Sequence, residues 1–395
     1  MAITDQDIFI VEALRTPFGS FLGSLAEVPA PELAAAVIPE LLGRSGLGGT
    51  LVDEVIIGQV LQGGCGQAPA RQAMRLAGLP DQVHALTINK VCGSGLVAMM
   101  LAANTIRAGE ASLVIAGGME NMSLAPHVLA RARKGQRFGH GEILDLLLLD
   151  GLEDAASGRS MGEITEEWLR GHRISRREQD AYALRSYGLA QQALKEQIFA
   201  PELVEVRFNS GKGWLVVAED EEPWRCDPEK FASLPTVFRE QGSITAGNAS
   251  TINDGAALAL VAGGAAVERY GLRPRARLVA AATASTGPQL FPEADVEAIR
   301  LAVARAGLSL EDIDLFEINE AFAAVALLTM ELLAIDPARV NVNGGAVAIG
   351  HPIGASGGRL VATLIRELER QEKRYGVVTL CIGGGEAVAA VFERI

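Results

Sequence analysis

The sequence has few aromatic residues and no long apolar run, and each shortage narrows what the protein can be. Aromatic residues make up 5% of the 395 positions, so a core must be built from aliphatic side chains and alanine. The leucine-rich segment LDLLLLD is short and bounded by acids, and the N-terminal residues lack a basic stretch followed by an apolar one. The sequence therefore predicts neither a membrane span nor a signal peptide.

Cysteine is also scarce, with four residues and no CxxC pair: Cys65, Cys92, Cys226 and Cys381. This scatter is typical of a reduced, cytoplasmic protein rather than a disulfide-stabilised one. The histidines lack metal-ligand spacing with these cysteines, so no metal site is expected. The Gly-rich segments lack the GxxxxGK[ST] and strand–GxGxxG–helix patterns of nucleotide sites, and no cofactor is expected.

Basic residues are in the minority, with 35 Lys and Arg against 48 Asp and Glu and a formal net charge of -13. This balance argues against nucleic acid or an anionic membrane as the main partner. An anionic substrate would need a local basic contact. The chain length predicts two or three packed units.

Two regions of the chain repeat each other in order. Asp53 and Asp314 each follow a Gly-Leu turn and precede an apolar strand, and they lie 261 residues apart. Ser94 in CGSG and Ser356 in GASG lie 262 apart, and an amphipathic helix and a Gly-rich strand end follow each of them. The pattern predicts two copies of one α/β unit, each a sheet covered by helices.

The stretch between the copies is richer in charge and contains the acidic segment AEDEEPWRCDPE. We expect an insertion laid over the surface, such as a lid or a substrate-recognition region. The boundaries we predict are an N-terminal half over 1–121 completed by 246–270, an insertion over 122–245, and a C-terminal half over 271–395.

Cys92 lies in NKVCGSG, between a predicted strand and a predicted helix. A lone cysteine beside a glycine turn is usually a small buried hydrophobe. At a helix start, however, free N–H groups and the helix dipole would lower the pKa of its thiol and could hold an oxyanion. Because the second copy repeats this turn, we interpret Cys92 as a nucleophile rather than as a core residue.

His351, in GHPIGASG, falls just before the matching turn of the second copy, where it could act as a base or cap local carbonyls. Cys381 ends an apolar strand before a triple glycine and reads equally as a core residue. Asn319 ends the sister strand, where it could orient a ligand or cap a helix starting at Glu320.

NKVCGSGLVAM, NEAF, NGGAVAIGHPIGASG and TLCIGGG resemble the signature segments of thiolases of the acetyl-CoA acetyltransferase type. The resemblance extends over nearly the whole chain, with AxRTPFGxFxGxL and TAGNASxxNDGAA among its segments. It implies an α/β fold of two βαβαβαββ halves in five αβαβα layers, with an inserted loop domain. It also implies a homotetramer built as a dimer of dimers.

The resemblance implies reversible Claisen condensation of two acetyl-CoA to acetoacetyl-CoA and CoA, with coenzyme A thioesters as substrates rather than cofactors. Cys92 would carry the acetyl group, and His351 would take its proton. Cys381 would remove a proton from the second acetyl-CoA, Asn319 would act through a water with His351 on the enolate, and the Gly383 and Cys92 N–H groups would hold the other oxyanion.

The same resemblance implies residues that bind the substrate. Ser250 would contact pantetheine, Arg225 the nucleotide, and a further set would line the acyl and pantetheine pocket: Leu152, Met161, Ala321 and Phe322.

The sequence departs from the usual family pattern at two positions, one beside the acyl pocket and one near the proposed acid/base Cys381. Ser160 stands where many members have His, and Glu386 follows the triple glycine, where Met is common. We expect Glu386 at a helix start, where the dipole favours a carboxylate, and it would raise the pKa of Cys381 if the two residues lie close together. A 3-ketoacyl-CoA thiolase of fatty-acid degradation, acting on longer or branched chains, is the alternative. A ketoacyl-ACP synthase would lack the second cysteine, and a silent CoA-binding protein would not need the full set of signatures.

Overall fold

A computed structural model of the chain describes residues 3–4 and 6–395. The strands are β1 (Ile8–Arg15), β2 (Gly19–Ser20), β3 (Glu54–Gly58), β4 (His84–Ile88), β5 (Leu113–Asn121), β6 (His127–Val128), β7 (Leu144–Asp145), β8 (Val206–Asn209), β9 (Trp214–Val217), β10 (Asn253–Gly263), β11 (Ala276–Ser285), β12 (Leu315–Ile318), β13 (Tyr375–Ile382) and β14 (Glu386–Arg394). The helices are α1 (Ala30–Ser45), α2 (Pro69–Leu76), α3 (Ser94–Arg107), α4 (Met161–Leu169), α5 (Arg176–Lys195), α6 (Gly264–Tyr270), α7 (Ala294–Arg305), α8 (Ala323–Leu333), α9 (Ala346–Ile349) and α10 (Ser356–Arg370).

The main strands form one continuous array in the order β12-β13-β14-β11-β1-β10-β5-β3-β4. In the first half, β3 pairs in parallel with β5, and β10 pairs antiparallel with β5. In the second half, β12 pairs in parallel with β13, and β14 pairs antiparallel with β13. Among the described residues, the two half-sheets are joined by strand pairing where β1 meets β11, through Phe9 with Arg277 and Ile10 with Ala276. Strands such as β10 and β13 are nearly continuous apolar runs because both of their faces are covered.

Five layers result, as the family resemblance implies. Helices α1 and α2 pack on the outer face of the first half-sheet, and α7 and α8 pack on the outer face of the second. Helices α3 and α10 lie between the two half-sheets, and their aliphatic side chains share one core with strands of both. The scarcity of aromatic residues is compensated there by alanine, valine and leucine.

The internal repeat is present in the hydrogen bonds as well as in the element order. Asp53 Oδ2 accepts the N–H groups of Ser112 and Leu113 at 2.7 and 3.0 Å. Asp314 Oδ2 accepts those of Arg374 and Tyr375, each at 2.9 Å. In both halves, therefore, one aspartate ties the start of an inner strand to the start of its parallel neighbour.

The second copy departs from the expected βαβαβαββ pattern. Within the described residues, the counterpart of β4 is reduced to one bridge between Val340 and Phe316. A second correction concerns Gly117, which was expected to end a strand but lies in the middle of β5 with φ 155°. Its Cβ position would meet the Ala257 carbonyl oxygen at 2.2 Å, so the tight approach of β10 requires glycine.

Helices α3 and α10 begin at Ser94 and Ser356, the matched positions of the repeat. Their first turns meet through glycine. A Cβ on Gly95 would lie 2.9 Å from the Gly354 carbonyl oxygen, and one on Gly357 would lie 2.3 Å from the Leu96 nitrogen. Because glycine has no side chain, the first turns of α3 and α10 can pack in direct backbone contact with each other.

The segment between β5 and β10 contains β6 to β9, α4 and α5. It is anchored by a buried ion cluster in which Arg15 of β1 bonds Glu202 and Asp220, both at 2.6 Å. The predicted domain boundaries stay a prediction. No helix among the described residues is long and apolar enough to cross a membrane.

Candidate active site

Cys92 lies at the end of a strained turn that precedes α3. Val91 has φ 47°, a left-handed conformation that is rare for a β-branched residue. The Ser94 hydroxyl holds this turn, because it donates to the Val91 carbonyl at 2.7 Å and accepts the Lys90 N–H at 2.8 Å. The turn therefore places the half-buried Cys92 against an apolar cluster that Leu152 also packs against.

The expectation that the helix start lowers the pKa of Cys92 is wrong for the unliganded site. Burial raises the pKa of this thiol to about 11, although the N–H groups of Gly383 and of Cys92 itself act in the opposite direction. The nearby carboxyls of Asp295 and Glu120 raise it further. The nucleophile is therefore a neutral thiol at rest and needs a base when substrate is bound.

His351 is buried in the loop between α9 and α10. Its N–H bonds Asn253 Oδ1 at 3.0 Å, and its Nδ1 lies 2.6 Å from the hydroxyl of Ser356. That hydroxyl donates its single hydrogen to the Pro352 carbonyl at 2.9 Å. Both contacts are hydrogen bonds only when Nδ1 carries the proton, which leaves Nε2 as the acceptor.

The Nε2 atom of His351 has no hydrogen-bond partner among the described residues. Burial, assisted by the positive charge of Arg359, lowers the pKa of His351 to about 3. The imidazole is therefore neutral at neutral pH, with its free lone pair available to accept a proton.

Cys381 is fully buried at the end of β13, in a cluster that includes Met161, Ala321 and Phe322. Burial raises the pKa of Cys381 well above its ordinary value, and the charges of Asp295 and Cys92 act in the same direction. The two thiols are thus close enough to interact. Gly383 follows Cys381 by two residues, and its N–H points toward the sulfur of Cys92.

Asn319 lies at the end of β12 and donates its backbone N–H to the Thr379 carbonyl at 2.9 Å. Its side-chain Oδ1 and Nδ2 are buried and have no partner in the described part of the chain. The alternative role as a cap fails, because the following helix begins at Ala323 rather than Glu320. An amide with both polar atoms unsatisfied is expected to meet a ligand.

The residues expected to bind substrate adjoin the two cysteines. Leu152 packs beside Cys92, and Met161 lies against Gly383, where its Sδ is 3.4 Å from the Cβ position. Ser250 donates its N–H to the Ala321 carbonyl at 3.0 Å. Ala249 pairs with Phe322 in an isolated bridge, so this loop joins the pocket of Cys381.

A groove of about 750 Å³ leads outward from Ser250. Its walls are apolar and include Phe231, Leu234, Val237 and Phe238, and Arg225 lies in its outer part. Arg225 is 59% exposed and lies 3.6 Å from Glu222, so the basic contact expected there is partly balanced by an acid.

The two departures from the usual pattern have structural explanations. Ser160 caps α4 and shares reciprocal hydrogen bonds with Glu163, which forms a capping box. Glu386 begins strand β14 rather than a helix, which corrects the expectation. It pairs with Lys90, next to the Cys92 turn, and does not contribute to the pKa of Cys381.

Several positioning residues escaped the sequence analysis. Glu120 is buried in β5 and accepts the N–H groups of Val60, Leu61 and Gly354 at 2.9 to 3.1 Å. Glu320 is also buried; it accepts hydrogen bonds from the segment before His351 and from Tyr182 and Ser186 of α5. A charged residue inside an apolar strand was the available signal for Glu120.

Two family models match the chain, the thiolase N-terminal domain over residues 8–264 and the thiolase C-terminal domain over residues 272–394. An acetyl-CoA acetyltransferase of Pseudomonas aeruginosa is 48% identical over 98% of this chain and 100% of its own length. One of Cupriavidus necator is 47% identical over 98% and 99%.

Two solved structures show the same fold. The crystal structure of the acetyl-CoA acetyltransferase of Bacillus anthracis superimposes with a TM-score of 0.96 at 40% identity, covering 98% of this chain and 99% of that one. The Acat5 thiolase of Ascaris suum, in complex with coenzyme A, gives 0.93 at 40% identity, covering 98% and 100%. The chain belongs to the thiolase family.

Proposed function

We propose that the chain is an acetyl-CoA acetyltransferase that condenses two acetyl-CoA to acetoacetyl-CoA and CoA, reversibly, through an acetyl group on Cys92. One observation carries the proposal. The thiols of Cys92 and Cys381 are close enough to affect each other's ionisation, and the Nε2 of His351 and the amide of Asn319 are buried without a partner among the described residues. Full-length relatives that carry this name support the choice of acetyl-CoA.

In the first half-reaction, His351 Nε2 takes the proton of the Cys92 thiol as the sulfur attacks the carbonyl carbon of acetyl-CoA. The resulting imidazolium and thiolate attract each other, which offsets part of the unfavourable ionisation. The N–H groups of Gly383 and Cys92 are oriented to stabilise the oxyanion. The bond to the CoA sulfur then breaks, and the leaving thiolate receives the proton from His351.

In the second half-reaction, Cys381 first gives its proton to His351 Nε2, and the resulting thiolate removes a proton from the methyl group of a second acetyl-CoA. Asn319, acting through a water, and the protonated His351 stabilise the enolate oxygen. The enolate carbon attacks the acetyl carbon on Cys92, and the Cys92–acetyl bond breaks to release a thiolate. That thiolate takes the proton held by His351, while Cys381 keeps the proton from the methyl group, which restores both thiols and the neutral imidazole.

The groove gives coenzyme A a path to this pocket. Its apolar walls suit the pantetheine arm beside Ser250, and Arg225 is placed to contact the charged nucleotide at the outer end. Leu152, Met161, Ala321 and Phe322 would surround the acyl group. The fact that the Ascaris suum thiolase forms a complex with coenzyme A supports the choice of this ligand. A homotetramer in the cytoplasm is part of the same proposal.

Mass spectrometry after brief exposure to acetyl-CoA tests the assignment of the two thiols. We expect a 42 Da addition on the Cys92 peptide of the wild type, since one hydrogen is replaced by an acetyl group. Cys92→Ser should lose the addition, whereas Cys381→Ser should keep it and form no acetoacetyl-CoA. An acetylated peptide that lacks Cys92 would contradict the proposal.

Thiolysis rates across 3-ketoacyl-CoA lengths test the substrate. We expect the highest kcat/KM with acetoacetyl-CoA, because Met161 lies against Gly383 and limits the space beside the thiols. A maximum at eight carbons or longer would favour a degradative 3-ketoacyl-CoA thiolase instead.

A further inference from the structure

Asp295 is a buried carboxyl that the proposed reaction does not use. It is the second residue of α7 and has no exposed surface. Its Oδ1 lies 2.8 Å from the hydroxyl of Thr379, and its Oδ2 is buried without a partner in the described residues. A buried acid with a free oxygen is costly to keep, and such groups concentrate at functional sites.

The strand geometry places this carboxyl beside the acid/base thiol. Thr379 and Cys381 are two residues apart in β13, so their side chains lie on the same face, about 6.6 Å apart along the strand. The carboxyl of Asp295 contacts that face of the strand at the hydroxyl of Thr379. The carbonyl of Thr379 also accepts the N–H of Asn319, so one residue connects Asp295 to both proposed catalytic groups.

The hydrogen bonds of Thr379 indicate that the carboxyl is neutral. Its hydroxyl has one hydrogen but faces two acceptors, Asp295 Oδ1 at 2.8 Å and the Val388 carbonyl at 3.0 Å. Both contacts are hydrogen bonds only if Asp295 carries a proton and donates it to Thr379. Burial raises the pKa of Asp295 to about 7, although the hydrogen bond with Thr379 acts in the opposite direction. No ionised side chain contributes to this pKa.

Resting on the proposed function, we propose that Asp295 is a positioning residue for the two-thiol centre. In its neutral form it holds Thr379, and with it the ends of β12 and β13 that carry Asn319 and Cys381. In its ionised form it opposes the loss of a proton from either thiol, because it places a negative charge on the buried side of the pocket.

Few titratable groups affect the ionisation of the two thiols. Asp295 and Cys92 raise the pKa of Cys381, and Asp295 and Glu120 raise the pKa of Cys92. Among them, only Asp295 acts on both thiols as a carboxylate. For a charge within about 10 Å of a thiol in a medium of intermediate polarity, removal of the charge should lower the pH at which the thiol ionises by about one to two units.

Alkylation by iodoacetamide at graded pH, read peptide by peptide by mass spectrometry, measures this ionisation without any turnover. In Asp295→Asn, which retains a hydrogen bond to Thr379, we expect the midpoint for Cys92 and Cys381 to fall by about one to two pH units. Glu297→Gln, on the exposed side of the same helix, is the matched control and should leave both midpoints unchanged.

An Asp295→Asn midpoint equal to that of the wild type would overturn the proposal, as would an equal fall in Glu297→Gln. If Asp295→Asn does not fold, Asp295→Ser keeps a hydroxyl for Thr379, and the same two outcomes apply to it. Because the assay uses no acetyl-CoA, it separates a failure of this inference from a failure of the proposed function.

Discussion

The two halves make a tight backbone contact where α10 meets α3, and Gly357→Ala tests whether this contact sets the active-site geometry. A Cβ at Gly357 would lie 2.3 Å from the Leu96 nitrogen and 3.0 Å from the Gly95 carbonyl carbon, where ordinary contacts begin at 3.4 Å. Both neighbours are backbone atoms that cannot rotate away. The helix starts must therefore separate by about 1 Å.

That displacement acts directly on the chemistry, because Ser356 and His351 move with α10 whereas Cys92 moves with α3. A misplacement of about 1 Å between reacting groups typically lowers the rate by about 100-fold. We expect the acetylation rate of Cys92, followed by rapid quench and mass spectrometry, to fall by that order. The melting temperature should also fall, since overpacking a core costs about 1–3 kcal/mol.

Gly43→Ala provides the control, since Gly43 lies in α1 with no atom within 4 Å of its Cβ position. It should stabilise the protein by about 1 kcal/mol, because alanine favours the helix, and leave acetylation unchanged. Wild-type acetylation in Gly357→Ala would refute the view that this helix contact aligns the base with the nucleophile.

Three further predictions follow from individual contacts. Ser356→Ala removes the partner of His351 Nδ1, so we expect kcat/KM to fall about 10- to 100-fold while Cys381 keeps its alkylation profile. Because His351 stays neutral when folded but takes up a proton below pH 6.5 when unfolded, the wild type should lose about 2 kcal/mol more stability than His351→Gln between pH 7 and 5, measured by urea unfolding. Lys90 and Glu386 are about one-third exposed, so a double-mutant cycle with methionine at both positions should give a coupling of at most about 1 kcal/mol.

The sequence was sufficient to predict the two halves because the repeat rests on local patterns, whereas the five layers came from the family resemblance. Asp53 and Asp314 precede matched strands, and Ser94 and Ser356 begin matched helices. The reduction of one strand in the second half was not predictable in this way. The alternation of valine and asparagine from Val340 to Asn343 suits a strand, but whether it pairs over one residue or five depends on how its neighbours pack.

The wrong expectation for the pKa of Cys92 has a physical cause. A helix start is visible in the local sequence, and its effect on a thiol is real. Burial has the larger effect here, and it comes from residues far along the chain, among them Leu152 and Ile353. The positioning carboxyl of Asp295 escaped for the same reason, since only the fold shows that this residue near the start of a helix is buried beside the pocket.

The duplication also explains why the site is asymmetric. The serine that starts each helix bonds the turn before it, but through different groups: Ser94 bonds the backbone N–H of Lys90, and Ser356 bonds the ring of His351. Gly354 is the counterpart of Cys92. A side chain there would lie 2.7 Å from the Met119 carbonyl oxygen and 2.8 Å from the Glu120 carboxylate. The second helix start therefore has no room for a nucleophile, and it can contribute only the base.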